Sequence, residues 1–233
     1  MKRFLDRGTI IIEKSENEVY YNEFPFHLIV YHNVFAPELL TEVAEMTKGL
    51  LWFYDHFDTT EIQKPTGAVF TLDNSSKKSK QQQYLQLAEE DFPAFKDFLL
   101  MLTEIDHTIL EILNNDFPNF PINTNNYKEN LVQNLINWFQ SHESPIMHTD
   151  GGILTTLTPY VVDRVDFELY NSRGETDFLV PDKTHIISTL PRNGDVVVFS
   201  GQIHHRGNGC INDIRRYSYV STYNHPQYPE KKN

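Results

Sequence analysis

Apolar residues recur along the chain at two different periods, and the change of period divides it. From Pro37 to Leu50, residues Leu39, Leu40, Val43, Ala44 and Met46 return every three or four positions. That spacing predicts a helix, with the proline after Ala36 supplying its start. A longer stripe from Pro93 to Asn114 carries Phe95, Phe98, Leu99, Leu102, Ile105, Ile109, Leu110 and Ile112 on one helical face. Both stripes read as core. Before them, Phe26 to Val34 is an extended apolar stretch. From Leu131 onward the pattern shortens to β-type runs: Leu131 to Phe139, Ile146 to His148, Ile153 to Leu157, Val165 to Tyr170, His185 to Thr189, Val196 to Phe199 and Arg216 to Tyr223. Turn signals separate them at Gly151-Gly152, Ser172-Arg173-Gly174 and Asn193-Gly194, the last a strong signal for a tight hairpin.

Helices first and short strands later predict an α+β fold, an antiparallel barrel or sandwich packed on one side by helices. At 233 residues the chain is expected to form a single domain, residues 1–130 giving helical support and 131–224 the β core. Asp58 to Gln83 is polar and weakly patterned, and ends in Ser75-Ser76-Lys77-Lys78-Ser79-Lys80-Gln81-Gln82-Gln83. It reads as a mobile loop, either a lid over a site or a plain insertion.

Composition narrows the partners. A hydrophobic fraction of 39% with 16 Phe and 12 Tyr is too rich in core material for a disordered chain. The formal net charge of -12 repels phosphate backbones and anionic membranes, which disfavours nucleic acid and lipid partners. Lys77, Lys78 and Lys80 form a local basic run of the kind usually found on solvated loops. Cys210 is the sole cysteine, so no internal disulfide forms and a reducing compartment is expected. No secretory leader is read at the N-terminus, and no apolar run reaches membrane-spanning length. A soluble, cytoplasmic protein is the expectation.

The chemistry concentrates in the strand-rich half. In His148-Thr149-Asp150 the side chains alternate along an extended segment, so His148 and Asp150 project to one face, close enough to share a metal ion. Such a triplet is more often structural, and His56-Phe57-Asp58 repeats it. Context separates them. His148 ends a β-run and precedes Gly151-Gly152, where the backbone can turn beneath an ion, whereas His56 follows the aromatic run Leu51-Trp52-Phe53-Tyr54 and reads as a decoy. A third ligand is expected from His204 or His205, after the run Val196 to Phe199. Two histidines and a carboxylate occupy one face of an octahedral iron and leave three positions open, although zinc also suits the set. Arg216, on one strand face with Ser218, Val220 and Thr222, is costly inside a barrel unless an anion neutralises it. A dicarboxylate such as 2-oxoglutarate meets that need, and an internal Asp or Glu is the plainer alternative.

With these residues in order, the chain resembles the Fe(II)/2-oxoglutarate-dependent oxygenase superfamily, especially its prolyl 4-hydroxylase-like and phytanoyl-CoA hydroxylase-like branches. The resemblance spans roughly Leu131 to Tyr223. His148-Thr149-Asp150 resembles the family's His-x-Asp, Gly174 to Phe178 its Gly-Glu-Thr-x-Phe stretch, Pro191 to Phe199 its Pro-x-x-Gly-Asp-x-x-x-Phe segment, and Arg216-Tyr217-Ser218 its Arg-x-Ser. Upstream, Leu28 to Val30 and Phe35 to Leu40 resemble the start of prolyl 4-hydroxylase-like domains, and Leu135-Ile136-Asn137 resembles a segment of AlkB-type demethylases. Arg173, where many relatives carry glycine, and Phe139, in place of an AlkB tyrosine, depart from the pattern.

The resemblance implies a double-stranded β-helix (jelly-roll, cupin-like) core. It implies His148, Asp150 and His205 as iron ligands, His205 being in register with the family's distal histidine once Phe199 is aligned. Arg216, Ser218 and Asn137 would hold 2-oxoglutarate; Trp138, Tyr160 and Arg164 are candidate substrate contacts. Fe(II), 2-oxoglutarate and O2 are the implied cofactor and cosubstrates, with room for ascorbate. The expected activity is that of a dioxygenase hydroxylating an unactivated C–H of a small amino-acid-like molecule or a peptide side chain. Retention of Asp150 argues against a related halogenase. An AlkB-like oxidative demethylase and a catalytically silent metal-binding jelly roll are the rival readings.

Overall fold

The structure is a computed structural model that describes residues 3–4, 6–14, 26–56, 70–71, 94–139, 146–150, 152–161, 175–181, 184–192, 194–207 and 216–226. In chain order its elements are β1 (Arg3–Phe4), β2 (Gly8–Glu13), β3 (Phe26–Tyr31), α1 (Pro37–His56), β4 (Phe70–Thr71), α2 (Phe95–Asp116), α3 (Tyr127–Asn130), β5 (Leu131–Phe139), β6 (Leu154–Val161), β7 (Thr176–Leu179), β8 (Ile186–Thr189), β9 (Val196–Phe199), β10 (His205–Gly207) and β11 (Arg216–Tyr223). Among the described residues, no helix is long and apolar enough to cross a membrane.

These strands form two antiparallel sheets, eight strands in the order β1-β2-β3-β9-β6-β11-β5-β4 and three in the order β10-β7-β8. Alternation along the central strands of the large sheet explains how both of its faces are buried. Val196 and Val198 of β9, Tyr160 of β6, and Tyr217, Tyr219 and Tyr223 of β11 join Leu102, Ile105, Ile109 and Leu113 of α2 in one core. Val197 and Phe199, Leu157 and Val220 point the other way and meet Phe178 of β7 in a second core. The molecule is therefore layered as helices, large sheet, small sheet. Burial on both sides is why Val196 to Phe199 reads as an unbroken apolar run.

Helix α2 buries Phe95, Phe98, Leu102, Ile105, Ile109 and Leu110 of its predicted stripe, leaves Leu99 and Ile112 partly buried, and adds Leu113 and Asp106 to the buried face. That carboxylate accepts the hydroxyls of Tyr219 (2.7 Å) and Ser221 (2.8 Å) on β11. Tyr31, which ends β3, donates to Asp116 at the far end of the helix at 2.7 Å. The helix is thereby bolted to the sheet by hydrogen bonds as well as by apolar burial.

Several expectations change. Helix α1 runs on through Leu51-Trp52-Phe53-Tyr54 to His56, so His56 ends a helix and does not lie on an extended segment. The strand expected over Ile146 to His148 reduces to an isolated bridge at His148. Strands β7 and β10, of four and three residues, were not anticipated as strands. The Asn193-Gly194 signal marks a turn, but not a hairpin: β8 belongs to the small sheet and β9 to the large one, so the chain crosses between layers there. Gly194 is required, because its φ is +98° and a Cβ would sit 2.8 Å from the Phe35 carbonyl oxygen. Asp195 braces the same crossing, accepting the backbone N–H groups of Asn33 (3.1 Å) and Arg192 (2.9 Å). The run Val165 to Tyr170, Cys210, and most of Asp58 to Gln83 lie outside the described residues; Phe70–Thr71 within that loop pairs with β5.

Candidate metal centre

Two strand ends from different parts of the chain are locked together at the rim of the small sheet. His148 and His205 face each other across the isolated antiparallel bridge and exchange both backbone hydrogen bonds, at 3.0 and 2.9 Å. Two residues on, the Asp150 N–H donates to the Gly201 carbonyl at 3.0 Å. Extended geometry from 148 to 150 turns both side chains to one face, and the bridge brings His205 to the same place.

The backbones cross this closely because two glycines meet. A Cβ on Gly201 would overlap the carbonyl of Gly152, and one on Gly152 would stand 2.6 Å from the Tyr223 carbonyl oxygen. Gly152 therefore serves close approach to Gly201 and the end of β11. The Gly152 carbonyl also accepts the Gln202 side-chain amide at 3.1 Å.

The side chains converge. His148 Nε2 lies 3.7 Å and His205 Nε2 3.6 Å from the same atom, Asp150 Oδ1. The imidazole centroids are 4.6 Å apart. The hydrogen bonds of the rings determine what those nitrogens offer. His148 Nδ1 lies 2.9 Å from the Ile146 carbonyl oxygen, and His205 Nδ1 lies 3.2 Å from that of Ile203. A carbonyl oxygen only accepts, so Nδ1 carries a proton in each ring, and in the neutral imidazole Nε2 is then the nitrogen left with a lone pair. Holding Nδ1 on a backbone carbonyl fixes the orientation of each ring and turns its Nε2 toward Asp150, as a metal-binding histidine requires. The donor set fits a divalent cation: two imidazole nitrogens and one carboxylate oxygen, all mutually within 4.8 Å.

Burial grades the site. Asp150 and His205 side chains are each 9% exposed, whereas His148 is 49% exposed, so access is from the His148 side. His205 packs against the rings of Phe199 at 4.6 Å and Phe178 at 6.1 Å. Burial in that setting pushes the His205 pKa below its ordinary value, against the pull of the Asp150 charge and the bond to Ile203. Asp150 Oδ2, the oxygen that is not the histidines' near contact, accepts the Thr155 hydroxyl at 2.6 Å. Thr155 was not singled out in the sequence; its alternation with Leu157 on the inner face of β6, just after the glycine turn, was the available signal.

Other predicted site residues fall in three groups. His204 is exposed and outside the cluster, its carbonyl taken by the Leu179 N–H at 2.8 Å. Tyr160 is not a substrate contact. It is fully buried on the helix-facing side of β6, with its hydroxyl 2.9 Å from that of Thr47 on α1 and its ring stacked on Tyr217 at 5.9 Å. Alternation from Leu157 explains the correction, since a tyrosine three positions on must face the opposite layer. Ser218 is buried, in register with Asn137 on one side and Pro159 on the other. The backbone of Arg216 opens β11 opposite Phe139 and Val161, and that of Trp138 lies opposite Tyr217. Their side chains, that of Asn137, and all of Arg164 lie outside the described residues.

No family model and no curated protein matches the chain. Solved structures do. A prolyl-4-hydroxylase from Pseudomonas putida is similar over 84% of this chain and 92% of its own, at a TM-score of 0.48 and 10% identity. A prolyl hydroxylase from Trichoplax adhaerens, in complex with a hypoxia inducible factor oxygen degradation domain peptide fragment, is similar over 85% and 84%, at a TM-score of 0.48 and 10% identity. An oxidoreductase of the 2OG-Fe(II) oxygenase family from Burkholderia pseudomallei is similar over 85% and 84%, at a TM-score of 0.49 and 14% identity.

Proposed function

We propose that this protein is an Fe(II)- and 2-oxoglutarate-dependent dioxygenase whose metal is held by His148, Asp150 and His205. The observation that carries the reading is the convergence of two imidazole Nε2 atoms on one carboxylate oxygen, with each ring's Nδ1 held against a backbone carbonyl. A double-stranded β-helix is the fold we assign to the core, and the strand pairing supports it. Counting β5, the His148 segment, β6, β7, β8, β9, β10 and β11 as first to eighth, the antiparallel partners are first with eighth, second with seventh, third with sixth and fourth with fifth. Those four pairs are one long hairpin wound on itself.

Fe(II) and 2-oxoglutarate would supply the chemistry, decarboxylation of the diacid to succinate coupled through O2 to hydroxylation of an unactivated C–H. The chain's own residues bind, orient and shield. His148 and His205 offer neutral nitrogens, and Asp150 Oδ1 the one negative charge. Phe178 and Phe199 keep water from the buried side of His205. We assign the distal carboxylate of 2-oxoglutarate to Arg216 and Ser218, with a further contact from Asn137, which is opposite Ser218 in register. For the substrate we propose a small amino-acid-like molecule or a peptide side chain, neutral or cationic in view of the net charge of -12. Trp138 and Arg164 are its proposed contacts.

Succinate release tests the reading without knowledge of the substrate. Purified protein with Fe(II), 2-oxoglutarate and air is expected to form succinate slowly in the uncoupled reaction. Removing iron or O2 should abolish it, His148→Ala or Asp150→Ala should lower it at least about 100-fold, and Arg216→Gln should raise the KM for 2-oxoglutarate. Protein that binds Fe(II) yet yields no succinate under any condition would be the silent jelly roll instead. Tight, steeply salt-dependent binding of oligonucleotides would favour the demethylase reading.

A further inference from the structure

The Asp150 carboxylate has two oxygens with different surroundings, and the difference comes from two threonines on neighbouring strands. Oδ1 faces both histidine Nε2 atoms, while Oδ2 accepts the Thr155 hydroxyl at 2.6 Å. Thr155 is fully buried, and its hydroxyl is 3.3 Å from that of Thr222, which is also fully buried. The two residues are direct partners in the β6–β11 register.

Proton counting gives this chain of groups a direction. An ionised carboxylate only accepts, so Thr155 spends its single hydroxyl proton on Asp150, and Thr222 must donate to Thr155. The order is Thr222 to Thr155 to Asp150. We propose that Thr155, oriented by Thr222, is a positioning residue that occupies Oδ2 and presents Asp150 to the metal through Oδ1 alone. The inference rests on the metal-centre reading above and adds what that reading lacks, a reason for the carboxylate to occupy one coordination position instead of two. A carboxylate free to rotate could offer both oxygens and close a position that must stay open. The relay also ties the metal ligand to β11, the strand on which Arg216 and Ser218 stand.

Co(II) titration of the full-length protein, followed by visible absorption, tests the proposal without turnover. Wild type is expected to bind one equivalent, and His148→Ala to lose it. Thr155→Val, which keeps the volume and removes the hydroxyl, should bind about tenfold or more weakly, as loss of a group behind a metal ligand does. Its absorption bands should shift. Thr155→Ser should bind within about threefold of wild type with unshifted bands. Thr155→Val/Thr222→Val should bind no more weakly than Thr155→Val alone, because Thr222 acts only through Thr155. Thr155→Ala gives the same reading if the valine variant does not fold. A hydroxyl-free variant that loses less than about tenfold overturns the relay, and so does a serine variant that loses as much as valine. If wild type binds no Co(II), the metal-centre reading falls and the relay's role with it. If wild type and Thr155→Val bind alike, the relay alone falls.

Discussion

At the scale of single residues, the proposed metal site is prepared by hydrogen bonds from outside the His148, Asp150 and His205 cluster. The carbonyls of Ile146 and Ile203 decide which nitrogen of each histidine is free. Because ligation needs that nitrogen unprotonated, acid must compete with the cation. Burial holds His205 below the ordinary histidine value of about 6.5, so its protonation competes with the metal only on the acid side of that value. Titrations of Fe(II) or Co(II) at pH 7.5 and 5.5 are therefore expected to show weaker binding at the lower pH, and unchanged affinity would contradict it. The same scale marks what the sequence could reveal. His148 and Asp150 were legible because two-residue alternation is a local rule. Choosing His205 over His204 needed an alignment to Phe199, since adjacent residues on a strand face opposite ways and composition does not say which way is in. Thr155 was legible only as an inward-facing strand residue in alternation with Leu157, because its role exists only where β6 brings its hydroxyl to Asp150.

At the scale of elements, close crossings and buried bolts hold the site in place. Gly152 and Gly201 let the segment carrying Asp150 pass directly over the turn before His205. In Gly201→Ala the new methyl would overlap a backbone carbonyl that no rotamer can move, so a loss of about 1–3 kcal/mol is expected from overpacking. Metal affinity should fall with it, which thermal melts and Co(II) titration read in parallel.

The bolt between α2 and β11 makes a different forecast. Burial of Asp106 raises its pKa to about 6, although the hydroxyls of Tyr219, Ser221 and Tyr223 oppose the shift. The folded-state value lies above the unfolded one, so the native state holds the proton more tightly. Asp106 thus favours folding most at low pH, and this contribution is lost as pH rises from about 4 through 6. The lost contribution is on the order of 3 kcal/mol. Asp106→Asn should flatten the pH dependence of the urea midpoint across that window, and an unchanged slope in the variant would remove Asp106 as its cause. None of this could be read beforehand. A carboxylate within an apolar stripe is visible in the sequence, but the hydroxyls that receive it lie more than 100 residues away.

At the scale of the whole molecule, the order of helices and strands and the packing of helices on one side of an antiparallel core were legible, and the assignment of strands to the two sheets was not. Helices α1 and α2 appear where their stripes stand, with α1 continuing six residues further, to His56. The β half is antiparallel as expected. Yet the sequence cannot tell a strand that closes a hairpin from one that crosses to another sheet, and Asn193-Gly194 suits either. The short strands β7 and β10 escape periodicity because three or four residues define no period. What the layering accomplishes is convergence: one apolar core fixes the large sheet on the helices, the other fixes the small sheet on the large one, and the His148–His205 bridge lies at the small sheet's rim.

The most direct measurement is a crystal structure of the protein grown without oxygen in Mn(II) and 2-oxoglutarate, with anomalous diffraction locating the metal. One Mn(II) is expected, bonded to Nε2 of His148, Nε2 of His205 and Oδ1 of Asp150, each at about 2.0–2.3 Å. 2-Oxoglutarate is expected to complete the coordination, with its far carboxylate on Arg216. Metal bound elsewhere, or a 148–150–205 cluster that takes none at millimolar Mn(II), would rule out the proposed centre.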